Sequence, residues 1–158
     1  MEEGKSIDSA SEAVDLAIEQ EEAAVRLYST YLAGTENQGL KQLLRSLIGQ
    51  EKEHARRLQE LKKAGNVEYL FSPEANLGID GERYRGAAGS VSLLSSKEFL
   101  SMVVERESAA AELYELLEAR TTNRELASLF RRLGGEERKH EAMARNRFEL
   151  ESLGAGRR

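Results

Sequence analysis

Cysteine is absent from the 158 residues. Its absence excludes disulfides, zinc–thiolate sites, iron–sulfur clusters and thiolate-bound iron. It also suits a reducing compartment, and a cytoplasmic chain is expected. Proline occurs once, at Pro73, and aromatics make up only 6% of the chain, so little interrupts long helices built from Ala, Leu, Glu, Arg and Lys. No apolar run approaches the length of a membrane span, and no membrane partner is expected. The stretch from Met1 to Ser11 is polar and acidic without an apolar centre, so no secretory leader is expected. The net charge of -5 is spread over interspersed acidic and basic residues. Phosphate binding needs a clustered basic surface, so nucleic acid is not expected as a partner. The length fits a single domain over residues 1–158 that can bury its own core.

What the chain does have is an internal repeat. An offset of 86 positions carries Glu21 onto Glu107, Ala24 onto Ala110, Tyr28 onto Tyr114 and Asn37 onto Asn123. The same offset carries Leu40 onto Leu126, Leu47 onto Leu133, Glu51 onto Glu137 and His54 onto His140. The only two histidines are therefore repeat mates. Each half reads E-x-x-A-x-x-x-Y, then a turn, then E-x-x-H.

Apolar spacing predicts a helical hairpin in each half. The first helix is expected over 9–33, with the stripe Val14, Ile18, Val25, Tyr28 and Leu32. The turn falls at Thr35, Glu36 and Asn37. The second helix follows over 38–64 along Leu40, Leu44, Leu47, Leu58 and Leu61, and stops at Gly65. A third starts at Ser96 and runs along Leu100, Val103, Tyr114 and Leu117. After a turn at Thr121–Asn123, a fourth carries Leu126, Phe130, Leu133, Ala144 and Phe148 to about Ser152. The hairpins thus span 9–64 and 96–152. Residues 65–95 are glycine-rich, hold the proline and are too long for a hairpin loop. A helix of about 26 residues is about 39 Å long, which some thirty extended residues span easily, so a long crossover between hairpins is expected. A short helix within it, or a contribution to a partner subunit, stays open.

Charged residues interrupt the apolar stripes at their centres. Glu51 and His54 sit among inward leucines of the second helix, and Glu137 and His140 repeat this in the fourth. Glu21 and Glu107 sit midway along the first and third. The midpoint of Glu21 and Glu51 is Glu36, and that of Glu107 and Glu137 is Thr122, both inside turns. Residues equally far from an antiparallel turn lie side by side, so each Glu meets its E-x-x-H at one level, and i, i+3 spacing puts that Glu and His on one face. Buried unpaired carboxylates are costly. Two divalent cations would balance four of them. One Glu from each of two helices plus E-x-x-H from the other two matches the ligand pattern of di-iron and di-manganese carboxylate bundles. Oxygen ligands with some imidazole suit iron or manganese; two iron ions are expected, with manganese open.

The paired E-x-x-A-x-x-x-Y and E-x-x-H segments resemble the rubrerythrin branch of the ferritin-like superfamily, over roughly residues 9–64 and 96–151. The resemblance implies an all-α, ferritin-like four-helix bundle. It implies that Glu51 and Glu137 bridge two metals, that Glu21 and Glu107 are terminal, and that His54 and His140 bind one metal each. Tyr28 and Tyr114 would be hydrogen-bond partners of the ligands; read on their own they are equally well core aromatics. This chain departs from the family pattern twice. It lacks the cysteine-rich rubredoxin domain that supplies electrons, and it has Ala110 where the family carries a further glutamate. A simpler, symmetric relative with an external electron donor protein follows.

A lone E-x-x-H among 25 glutamates would be an ordinary surface pair, but here both histidines have it, on apolar stripes, at one distance from an inward Glu. Glu22, Glu53, Glu105 and Glu136 flank the inward glutamates and are read as facing outward, as solvated groups or as a route for cation entry. Arg45 and Arg131, also repeat mates, are read as surface or salt-bridging residues rather than catalytic ones. The first expectation for function is reduction of hydrogen peroxide or oxygen. Ferrous-iron oxidation with storage or delivery is the second, and monooxygenation the third. A homo-oligomer, dimer or larger, is expected.

Overall fold

The computed structural model describes residues 6–7, 9–65, 67, 77–85 and 90–154. Among these the chain is almost wholly helical. The helices are α1 (Ala10–Gly34), α2 (Gln38–Lys63), the short α3 (Gly81–Tyr84), α4 (Ser96–Arg120) and α5 (Arg124–Gly154). The four long helices form the bundle, with α1 packed on α2 and α4 packed on α5. The long helices fall within a residue or two of the expected bounds. None of the described helices is long and apolar enough to cross a membrane.

Helix ends follow local chemistry. Ser9 and Ser95 cap α1 and α4 by accepting hydrogen bonds from Glu12 N and Glu98 N. The two turns repeat each other in detail. Asn37 Oδ1 accepts from Leu40 N at 3.1 Å, and Asn123 Oδ1 accepts from Leu126 N at 2.9 Å. Asn37 N and Asn123 N donate to Thr35 Oγ1 and Thr121 Oγ1.

The core is two apolar clusters. One gathers Val14, Leu16, Leu58, Leu113, Leu117, Phe130 and Leu133 at one end of the bundle. The other gathers Tyr31, Leu40, Leu44, Leu47, Phe99, Leu100 and Val103 at the opposite end. The stripe expected for α1 is partly displaced. Ile18, Val25 and Leu32 are half-buried, while Ala13, Leu16, Ala17, Ala24 and Tyr31 face inward. Alanines let α1 approach its neighbours closely, but their weak hydrophobicity does not mark a core face in a pattern reading.

The crossover contributes to both clusters. Val67, Leu77 and Ile79 belong to the first, and Val91 to the second. Ile79–Asp80 (β2) pairs antiparallel with Ser6–Ile7 (β1), a two-residue ladder that the sequence reading did not anticipate. Asp80 caps α3 through Glu82 N. Tyr31 ties α1 to the end of the crossover: its ring stacks on Phe99 at 3.8 Å and its hydroxyl donates to Leu94 O. Pro73 and the Arg157–Arg158 tail lie outside the described residues.

The two caps are not equal. Asn37 Nδ2 also donates to Glu151 Oε1 at 2.6 Å, and Arg147 pairs with the same carboxylate at 2.6 Å, tying the first turn to the end of α5. Those hydrogen bonds hold the Glu151 carboxyl below its ordinary range against the opposing effect of burial. Asn37→Ala is therefore expected to destabilise by about 1–2 kcal/mol and Asn123→Ala by about 1 kcal/mol or less, read by urea unfolding. The difference between the two variants should shrink as pH falls through the carboxylate range, because Glu151 then takes up a proton and its contribution is lost.

Candidate metal centre

Between the two apolar clusters lie the buried polar residues Glu21, Glu51, His54, Glu107, Glu137 and His140, none more than 3% exposed. They are the six residues that spacing placed at the helix centres, and the bundle brings them together. His54 Nδ1 lies 2.6 Å from Glu137 Oε1, 3.5 Å from Glu21 Oε1 and 3.7 Å from Glu51 Oε2. His140 Nδ1 lies 2.7 Å from Glu51 Oε1, 3.3 Å from Glu107 Oε2 and 3.5 Å from Glu137 Oε2. Glu51 and Glu137 thus turn one oxygen toward each histidine. Glu21 serves only the His54 side and Glu107 only the His140 side. Two sets of converging ligand atoms result: Glu21, Glu51, His54 and Glu137, and Glu51, Glu107, Glu137 and His140, with the atoms of each set within 4.8 Å of one another.

At least one oxygen of each of the four glutamates, and Nδ1 of both histidines, are buried without a well-formed hydrogen bond. Each such atom costs about 1–3 kcal/mol, and more where it carries charge. Lone pairs that converge at short range without hydrogen-bond alignment fit a pair of divalent cations. The donor set of carboxylates and imidazoles suits iron or manganese.

Without a cation the cluster must hold protons instead. Burial, and then the neighbouring Glu51 and Glu137, raise the Glu21 carboxyl well above its usual range. Burial and the charges of Glu137 and Glu51 do the same to Glu107. Burial alone would lower His140, but Glu107, Glu137 and Glu51 outweigh it and push it up to about 12. His54 is raised in the same way by Glu137, Glu21 and Glu51 against its burial. Glu51 moves the other way, because its contacts with Glu21 and both histidines overcome its burial.

The two tyrosines cross between hairpins. Tyr28, on α1, donates to Glu107 Oε1 on α4 at 2.8 Å. Tyr114, on α4, donates to Glu21 Oε1 on α1. Burial first, and then the adjacent glutamates, raise both phenols, so each stays a donor. The sequence reading named these tyrosines; only the fold decides that each serves the glutamate of the other helix.

Among the flanking acids, Glu22 accepts from Gln59, and Glu53 pairs with Arg56 and Arg57 on the surface. Arg131 pairs with Glu118 at the surface, and Arg45 is exposed. Glu136 requires a correction. It does not simply face solvent: its Oε2 lies 2.5 Å from His54 Nε2. Gln50, which sequence reasoning passed over, meets His140 Nε2 through Oε1 at 2.6 Å. The signal available was position, since each stands one residue before an inward glutamate.

A cavity of about 220 Å³ reaches the centre from the α1–α4 side. Glu21, Glu51, Glu107 and Glu137 line it, whereas the histidines do not. Its other walls include Ala24, Ala110, Met102 and Arg106, with Tyr84 of α3.

These proton requirements yield a test. Glutamine has the shape of a protonated glutamate, so Glu107→Gln should leave the melting temperature of metal-free protein nearly unchanged. The stabilisation that ferrous or manganous ion gives the native chain, about 2.7 kcal/mol at a hundredfold excess over the dissociation constant, should fall steeply in the variant. Differential scanning calorimetry with and without metal reads both.

Residues 12–85 match the family model described as Rubrerythrin. No curated protein and no solved structure matches the chain. The matched stretch contains nearly all of α1, all of α2 and the described crossover through Arg85, and the internal repeat carries its pattern into α4 and α5. Over that stretch, just under half of its length, the chain is similar to rubrerythrins, and its described residues form an all-α bundle of the ferritin-like kind.

Proposed function

We propose that this chain is a di-iron oxidoreductase that reduces hydrogen peroxide, or oxygen, with electrons from an external donor protein. The observation that carries the reading is the pair of ligand sets sharing Glu51 and Glu137, opened to the outside by a cavity along their carboxylate side. Glu21, Glu51, His54, Glu107, Glu137 and His140 would hold the two ions. Two ferrous ions held there would supply the two electrons that, with two protons, convert one hydrogen peroxide to two waters.

The chain's own residues do the rest. Glu51 and Glu137 would bridge and set the spacing of the pair, while Glu21 and Glu107 would be terminal. Tyr28 and Tyr114 hold Glu107 and Glu21 in orientation and remain protonated while doing so. The apolar clusters on both sides would shield the centre from bulk water. Reducing equivalents would come from an external donor protein. Assembly into a dimer or larger is proposed too; Leu150 and Leu153 near the end of α5 are exposed and would suit it.

The size of the cavity favours a second reading. It exceeds what peroxide needs, and Ala110 stands in its wall where rubrerythrins have a glutamate, so monooxygenation of an organic substrate is the alternative. Ferrous oxidation with storage would require a many-subunit cage, which solution mass measures.

Metal analysis of protein from iron-supplemented cells should find two irons per chain, oxidised anaerobically by about one peroxide. Glu51→Ala and His54→Ala should each lose most of that iron, and near-normal loading in both would sink the ligand assignment. Filling the cavity with Ala110→Phe should slow oxidation by peroxide at least severalfold while leaving iron content intact. Unchanged peroxide kinetics in that variant would exclude the cavity as the oxidant's route.

A further inference from the structure

The repeat holds at all six inward positions but breaks immediately before each E-x-x-H. Gln50 stands before Glu51, and Glu136, its repeat mate, stands before Glu137. Both reach across to the other hairpin. Glu136 Oε2 lies 2.5 Å from His54 Nε2, and Gln50 Oε1 lies 2.6 Å from His140 Nε2. In both histidines Nδ1 faces the inward carboxylates. Nε2 faces an acceptor oxygen in both, so it carries a hydrogen and donates it outward. Ser46 Oγ accepts from Gln50 Nε2 at 3.1 Å, which leaves the amide oxygen toward the imidazole. The two histidines are thus held alike in geometry but by chemically different acceptors, a carboxylate for His54 and a neutral amide for His140.

We propose that Glu136 makes the two metal positions unequal, so that the position formed with Glu21 and His54 binds a divalent cation more tightly and fills first. The inference rests on the dinuclear reading of the site. A carboxylate accepting the far N–H of a ligating imidazole makes that imidazole a stronger donor than an amide does. It also places an extra negative charge beside one position only. Loss of such a partner typically costs 10- to 100-fold in metal affinity. The Glu136 side chain is 31% exposed, which places the effect toward the lower end of that span. Glu136 is a positioning residue in this role, since it acts on the metal through His54.

The test is anaerobic titration of the full chain with Co²⁺ by calorimetry, with crystals grown at one equivalent to locate the ion by anomalous scattering. In the native chain the first ion is expected at the Glu21–His54 position. Glu136→Gln should weaken the tighter step by roughly tenfold and leave the weaker step in place. The double exchange Gln50→Glu with Glu136→Gln should move the first ion to the Glu107–His140 position. A merely structural role for Glu136 would not move the ion between positions. Equal occupancy in the native chain, or an order indifferent to the exchange, would overturn the proposal while leaving the dinuclear site intact. Failure of the native chain to bind Co²⁺ at all would remove the dinuclear reading itself.

Discussion

Four carboxylates and two imidazoles are enclosed where a bundle of this size would ordinarily keep leucine, and most of the structure can be understood as a response to that burial. Carboxylates so close together repel one another, and without a counter-charge the group persists only by holding protons. The raised Glu21 and Glu107 carboxyls and the raised histidines are that solution in the metal-free chain. Divalent cations would offer another, because they would satisfy the convergent lone pairs directly. The apolar clusters at either end supply the stability that tolerates the polar centre, and they fix the heights at which the ligands meet.

Symmetry organises the site and is broken in informative places. The crossed bonds from Tyr28 to Glu107 and from Tyr114 to Glu21 bind one hairpin to the other through the candidate ligands, so the centre also holds the two halves in register. The two turns carry the same Asn and Thr hydrogen bonds. Departures occur where each half meets something unique. Asn37 meets Glu151 at the end of α5, and Glu136 replaces an amide beside His54. A duplicated hairpin therefore need not give two identical histidine environments.

The helix order, the two hairpins and the level at which the inward residues meet were all legible in the sequence. The reason is physical: antiparallel pairing about a short turn makes sequence distance from the turn a measure of height, and the 3.6-residue period decides which residues share a face. A candidate metal site was legible as well, since charge at the centre of an apolar stripe is costly unless it is compensated. What no spacing rule reaches is contact between elements far apart in sequence. Which glutamate each tyrosine serves and the β1–β2 pairing are of this kind, and so is the cavity between α1 and α4. The reach of Glu136 to His54 belongs with them, because a residue that looks outward from its own helix can look inward when the neighbouring hairpin packs against it, and only the tertiary arrangement of the two hairpins sets that.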